Sequence, residues 1–198
     1  SGFKTSGTDL DAWLTKAEEF TKKYLGMEAN LREMFVIPEE LPWKSVIPVF
    51  DPGGLTSREA LNKLIKTLGP NKPYEEVDVM KYAGSEAGVG PTLHLIESSV
   101  RPNADTMRVS PDSLVGTNKN WLRLRGYAIA FGLHHFVTKE YLDLQTWTWF
   151  PSDRLPDGRV ASGRWNPGCS WVGFRWYDSG REYPNFGARL AIECSLES

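Results

Sequence analysis

A chain of 198 residues with 40% hydrophobic and 24% charged residues has the make-up of a soluble globular protein, long enough for one real core. Its formal net charge of −2 argues against a general nucleic-acid binder, which would carry a basic face. No apolar run approaches the roughly 20 residues of a membrane span, and the opening SGFKTSGTD lacks the apolar stretch of a signal peptide. The charge is unevenly spread: all eleven lysines precede Tyr141, whereas six of the twelve arginines fall between Arg154 and Arg189.

In chain order, Thr8 or Asp9 caps a helix predicted to run to about Leu25. Leu10, Trp13, Leu14, Ala17, Phe20 and Tyr24 share one face, and Gly26 is a natural stop. A further turn or two follows over Ala29 to Phe35. The proline-punctuated stretch Val36 to Phe50 reads as extended chain crossing a surface, and Asp51-Pro52-Gly53-Gly54 as a turn. Thr56, with Glu59 three residues on, forms a capping box for a second helix whose buried stripe is Leu61, Leu64, Ile65 and Leu68. Residues 71–91 look irregular apart from a short strand around Val77 to Tyr82. Thr92 to Glu97 is a predicted strand, and 98–118 is loop-like. From about Asn120 to Val137 the chain is apolar nearly all round, which predicts a buried helix despite Gly126 and Gly132. Strands are expected at Trp147 to Phe150, Ser170 to Tyr177 and Gly187 to Glu193. In the middle one, Val172, Phe174 and Trp176 suit a core face, and Trp171, Gly173, Arg175 and Tyr177 an exposed one. Helices first and strands afterwards make an α+β pattern, with N-terminal helices packed on a small antiparallel sheet in a single domain spanning 1–198.

Most motif-like features have a plain structural explanation. Adjacent histidines on a helix point about 100° apart, so His134-His135 is not a chelating pair. The only other histidine is His94. Nucleophile elbows, Walker loops and dinucleotide fingerprints are absent from the sequence. The acidic run Tyr74-Glu75-Glu76-Val77-Asp78 lacks the spacing of a calcium loop. Two cysteines, Cys169 and Cys194, are too few for a disulfide framework and are expected as free thiols, with one bridge as the alternative. Cys169, near Arg164 and Arg175 in sequence, would be the nucleophile if the chain were an enzyme.

The segment from Arg159 to Gly187, RVASGRWNPGCSWVGFRWYDSGREYPNFG, stands apart. It contains no Lys, Leu, Ile, Met, Thr, Gln or His. A core segment needs aliphatic residues, and a solvated loop usually carries lysine. Rigid amphipathic aromatics, planar guanidinium donors and small residues are instead the composition of a binding surface.

The pieces TWTWFPSDRLPDGRVASGRW, VGFRWY and NFGARLAIE, with the preceding FGLHHFVTKEYLDLQTWTW, resemble the C-terminal part of variable proteins made by diversity-generating retroelements, of the archaeal and viral type. The match covers roughly 120–193; ELPWKSVIPVFDPGGLTSREAL and YEEVDVMKYAGSEA are similar to the same type, and 1–90 is otherwise less diagnostic. The resemblance implies a C-type lectin fold of the formylglycine-generating-enzyme variety, in which adenine-directed mutagenesis scatters codons such as AAC over a solvent-facing ligand surface. The variable positions it implies lie within 159–187: Ser162, Arg164, Asn166, Gly168, Cys169, Gly173, Arg175, Tyr177, Asp178, Ser179, Arg181, Tyr183 and Asn185. All are reachable from an Asn codon through its adenines. Trp171 is not, and is expected as a fixed contact. Scaffold positions would be Arg159, Val160, Trp165, Val172, Phe174, Trp176, Phe186, Arg189, Leu190 and Ile192.

The chain departs from related families. Trp165-Asn166 is followed by Pro167 and no Glu-Pro-Asn occurs, unlike calcium-dependent sugar-binding lectins. Cys194 at the end of the closing strand does not supply the reactive cysteine pair of the oxidase. The expectation is therefore a non-enzymatic protein without metal or cofactor. Its partner would be a macromolecule, a protein or cell-surface component rather than a nucleic acid. With no membrane insertion of its own, display on a cell or virion surface would run through a partner. A fixed lectin-like or peptide-binding module is the alternative.

Overall fold

A computed structural model describes residues 2–4, 8–76, 79–82 and 90–198. The chain runs β1 (Phe3–Lys4), α1 (Thr8–Phe20, prolonged by a π-helical turn, Thr21–Leu25), α2 (Leu31–Met34), β2 (Phe35–Val36), β3 (Glu40–Leu41), β4 (Val46–Asp51) and α3 (Ser57–Leu64). It continues through β5 (Tyr74–Glu75), α4 (Val79–Tyr82), β6 (Thr92–Glu97), α5 (Pro111–Gly116) and α6 (Leu124–Thr138). The last third is β7 (Trp147–Arg154), β8 (Val160–Asn166), β9 (Trp171–Tyr177), β10 (Phe186–Gly187) and β11 (Ile192–Leu196).

The architecture is mixed α+β. In place of one small antiparallel sheet there are two larger ones beside the β1–β3 pair: a four-stranded sheet in the order β2-β11-β6-β4 and a five-stranded sheet in the order β10-β7-β8-β9-β5. The four-stranded sheet is antiparallel throughout. The five-stranded one is mixed, because β10 and β5 join its two edges in parallel.

Local chemistry explains several element ends. Gly26 takes the left-handed conformation, φ 71°, that stops the first helix. The Thr56 hydroxyl accepts from the Glu59 N–H at 3.1 Å, and the Glu59 carboxylate accepts from the Thr56 N–H at 2.7 Å, completing the capping box. Of the stretch expected to cross a surface, 36–45 is mostly exposed or part-exposed, but its last part is buried: β4 carries Ile47, Val49 and Phe50 in the core. Pro48 is tolerated there because β4 pairs only with β6 and so is an edge strand. The predicted strand around Val77 to Tyr82 falls partly outside the described residues; Tyr74–Glu75 is a strand, and Val79–Tyr82 a helical turn.

Helix α6 is the centre of the molecule. It meets β4 through Gly126, whose missing Cβ would lie 3.8 Å from Val49 Cγ1, and reaches the five-stranded sheet through Tyr127, whose ring is tilted against Phe150 and edge-on to Phe174. Gly132 is required by close packing: a Cβ there would lie 2.7 Å from Thr67 Oγ1 and 2.9 Å from Phe20 Cζ. The buried aspartate Asp153 caps the start of α6, accepting from the Leu124 N–H at 2.8 Å and pairing with Arg123. One continuous apolar core extends from Leu10 to Cys194.

Candidate functional site

The antiparallel registers of β7, β8 and β9 sort the segment 159–187 into two faces. Inward point Ala161, Gly163, Trp165, Val172, Phe174 and Trp176, all buried. Outward point Ser162, Arg164, Asn166, Trp171, Gly173, Arg175 and Tyr177. The predicted alternation in β9 therefore stands, and it extends to β8.

The outer face is itself divided. Toward β10 it carries a second apolar cluster built on Trp149, Val160 and Phe186. Trp149 is fully buried there, with Tyr177 edge-on at 6.0 Å and Tyr183 at 6.1 Å between ring centroids. Tyr177 and Tyr183 are thus half-buried walls of this cluster as much as surface residues. Burial pushes the Tyr177 hydroxyl pKa up, against the nearby charge and hydrogen bond of Arg175, which lower it. Toward β5 the face is open and cationic. The Arg175 guanidinium lies 5.3 Å from the centre of the Tyr74 ring, and Tyr74 stacks on Trp171 at 5.7 Å. Arg164 turns the other way, over Trp147 of β7 at 5.4 Å, and donates to the Trp165 and Leu144 carbonyls. Among the described residues, neither Arg164 nor Arg175 meets a carboxylate in an ion pair.

Two loops extend this face. In the β8–β9 turn the Asn166 side chain accepts from the Gly168 and Cys169 N–H groups at 3.0 and 3.3 Å, an Asx turn. Asn71 clamps the turn from outside by donating to the Cys169 carbonyl at 2.8 Å. In the loop 178–185, Asp178, Arg181 and Asn185 are exposed. Ser179 is tied to α5: its hydroxyl donates to Asp112 at 2.9 Å, and its carbonyl accepts from the Asp112 N–H at 3.1 Å. Hydrogen bonds from Arg154 and then Ser179 hold the Asp112 carboxyl below its usual range.

The expected surface residues do converge, with two exceptions. Ser162 is wholly buried, sandwiched between Trp149 of β7 and Arg175 of β9, and its hydroxyl reaches the Arg175 carbonyl at 3.3 Å. It is outward in register but offers no surface. Gly173 is also buried, because Tyr74 lies opposite it and Trp171 beside it. The expected contact Trp171 is half-buried in its stack.

Sequence reasoning missed Tyr74. It reaches the site by parallel pairing of β5 with β9, Tyr74 opposite Gly173 and Glu75 opposite Phe174, across a separation that no local spacing encodes. Its neighbour Glu76 extends the seam, accepting from the Trp176 N–H at 2.7 Å. Of the other acidic residues in that run, Glu75 pairs with Arg58 and Asp78 lies outside the described residues.

Other chemistry is sparse. Cys169 is an exposed free thiol whose side chain makes no hydrogen bond among the described residues; Cys194 is buried, which pushes its pKa up to about 12. His134 is buried with Nδ1 3.0 Å from the Glu140 carbonyl, and His135 stacks on Tyr141. Among the described residues there is no group of three or more His, Cys, Asp or Glu placed to hold a metal ion, and no helix long and apolar enough to cross a membrane.

No protein-family model, curated protein or solved structure matches this chain.

Proposed function

We propose that this protein is a ligand-binding protein of the retroelement-diversified type, with a C-type lectin fold that presents the outer face of β8 and β9 and the loop 178–185 to a macromolecular partner. The observation that carries this is the partition of one segment. Nearly all positions expected to vary (Arg164, Asn166, Gly168, Cys169, Arg175, Tyr177, Asp178, Ser179, Arg181, Tyr183 and Asn185) keep exposed or part-exposed surface, while most expected scaffold positions, Val160, Trp165, Val172, Phe174, Trp176, Phe186 and Arg189, are buried. A sheet face with two loops is broad rather than deep, which suits a macromolecule.

A fixed peptide-binding module has one observation in its favour. Asn166 builds its turn, and Tyr177 and Tyr183 cover Trp149, so three of the proposed variable positions also serve the fold. Sequencing the codons for 159–187 in many natural isolates separates the two. Diversification predicts differences confined to adenines of a nearby imperfect repeat and absent from Val172, Phe174 and Trp176. An invariant segment, or substitutions at all four bases, would leave the fixed module standing.

A further inference from the structure

Residues 69–76 lie outside the segment 159–187 yet run along its β9 edge and meet its main chain repeatedly. Gly69, at φ 118°, passes so close to the Trp165 indole that a Cβ there would lie 2.6 Å from Cζ3, and 3.0 Å from the Ser170 carbonyl oxygen. The Asn71 side-chain amide donates to the Cys169 carbonyl at 2.8 Å. Tyr74 and Glu75 then pair in parallel with Gly173 and Phe174, and the Glu76 N–H donates to the Phe174 carbonyl at 3.0 Å. Last, the Glu76 carboxylate accepts from the Trp176 N–H at 2.7 Å. Arg58 of α3 holds the neighbouring Glu75 carboxylate by two hydrogen bonds, which anchors the run on the body of the protein.

A strand of two residues is shorter than the roughly 3–10 usual in sheets, yet this one is extended to grip the chain from 169 to 176. A side chain lengthens it at each end. Asn71 reaches the β8–β9 turn, and Glu76 puts a carboxylate oxygen where the next carbonyl of a continuing ladder would stand. Each of these bonds ends on a main-chain atom, which stays the same whatever residue occupies 168, 169 or 175. The Asx turn made by the Asn166 side chain would be lost if that position varied, whereas the Asn71 bond would remain. Side chains meet at Tyr74, which stacks on Trp171, a residue expected to be fixed, and which Arg175 overlies. The loop 178–185 is held alike: the Ser179 carbonyl accepts from the Asp112 N–H at 3.1 Å, and the Asn185 carbonyl from the Trp147 N–H at 2.8 Å. A turn ordered only by its own side chains would change shape with each substitution, because some bond must offset the entropy lost on fixing the backbone.

We propose that residues 69–76 form a strap that fixes the main chain of the β8–β9 turn and of β9 from outside, with Asn71 and Glu76 as its positioning residues. Side chains at 168, 169 and 175 can then be exchanged without moving the backbone that presents them. This rests on the outer face of β8 and β9 being the ligand surface.

The test is NMR of the full chain, comparing the parent with Asn71→Ala, Glu76→Ala and Glu76→Gln, each with and without Cys169→Tyr or Arg175→Ser. In the parent, backbone ¹⁵N order parameters at 168–170 should sit near the ~0.85 of rigid chain, and Cys169→Tyr should leave them there; Asn71→Ala should drop them below about 0.6. Asn71 is exposed, so its loss does not threaten folding. Glu76→Ala should speed exchange of the Trp176 amide at least about tenfold, the factor carried by a hydrogen bond to a charged group. Amides between Ala128 and Leu133 in α6 should keep their rates, since global destabilisation would speed these too. Glu76→Gln retains an acceptor oxygen and should restore most of the protection, and Arg175→Ser should change the Trp176 rate by less than about twofold. Unchanged order parameters in Asn71→Ala, an unchanged Trp176 rate in Glu76→Ala, or equal acceleration in α6 would each overturn the proposal. So would a Cys169→Tyr turn as mobile as that of Asn71→Ala. Diversification is decided by the isolate sequences and the strap by these spectra, so either can fail alone.

Discussion

Arginine serves opposite ends on the two sides of the five-stranded sheet. Beneath it, Arg189 is 2% exposed and Asp143 fully buried, and the pair is satisfied at almost every position. Asp143 accepts from the hydroxyls of Tyr127, Thr146 and Thr148 at 2.6–2.8 Å and from Arg189 at 3.2 Å. Arg189 also donates to the Ser99 and Val100 carbonyls and to Thr148. Above the sheet, Arg175 rests on one ring and carries its charge into solvent. A desolvated charge must have every partner in place or it destabilises the fold; a solvated one is nearly neutral to the fold and remains available to a ligand. The same residue type is thus fixed on one face and replaceable on the other.

The largest expected effect breaks the buried side of this comparison. Arg189→Met leaves the Asp143 carboxylate buried without its counter-charge and takes the side-chain donor from the Ser99 carbonyl, while the Val100 carbonyl keeps the Asp143 N–H. It should cost about 3–5 kcal/mol, a large part of the roughly 5–15 kcal/mol that holds a domain folded. Urea denaturation followed by tryptophan fluorescence would measure it. A loss below about 1 kcal/mol, the range of exposed pairs, would mean that the hub is not what fixes this side of the sheet.

How much of this was legible in the sequence depended on the range of the physics. The capping box at Thr56, the strand Thr92 to Glu97, the apolar helix and the β9 alternation are local patterns, and all were readable. Strand β8 was not. Ala161, Ser162 and Gly163 are small and buried, since both faces of β8 are covered, so they give neither alternation nor an apolar run. Helix α5 was readable but overlooked: Ser110 as N-cap with Pro111 at the first helical position is a start signal. The burial of Ser162 and the arrival of Tyr74 are consequences of neighbouring strands, which no spacing within 159–187 carries. The hub was half legible, with Arg189 assignable to the scaffold but its partner Asp143, in the left-handed region at φ 54°, hidden in an apparent loop.

A smaller effect probes the helix beneath. Gly132→Ala places a methyl 2.7 Å from Thr67 Oγ1 and 2.9 Å from Phe20 Cζ. Alanine's helix preference, worth about 1 kcal/mol over glycine, opposes an overpacking cost of roughly 1–3 kcal/mol. Because Thr67 and Phe20 are 4% and 1% exposed, neither side chain has open space to retreat into, and net destabilisation is expected. A rise in melting temperature would show instead that the contact between α1 and α6 yields easily. The rigid floor assumed for the sheet would then be in doubt.

The smallest expected effect tests the outer face directly. Arg175→Ser, Asp178→Gly and Arg181→Ser combined remove three exposed charges, and with them an Arg181–Asp178 pair whose side chains are each 65% exposed. Such a pair is worth roughly 0–1 kcal/mol, and surface changes of this kind usually stay within about 0.5 kcal/mol each. The triple variant should therefore unfold within about 1 kcal/mol of the parent in urea. Tyr177→Ser, a single change on the same face, should cost more, because it strips an edge-on ring from Trp149 and Trp147. If the triple variant proves the less stable of the two, the exposed arginines are part of the fold. The division between a fixed interior and a replaceable surface would then have to be drawn elsewhere than between the two faces of β9.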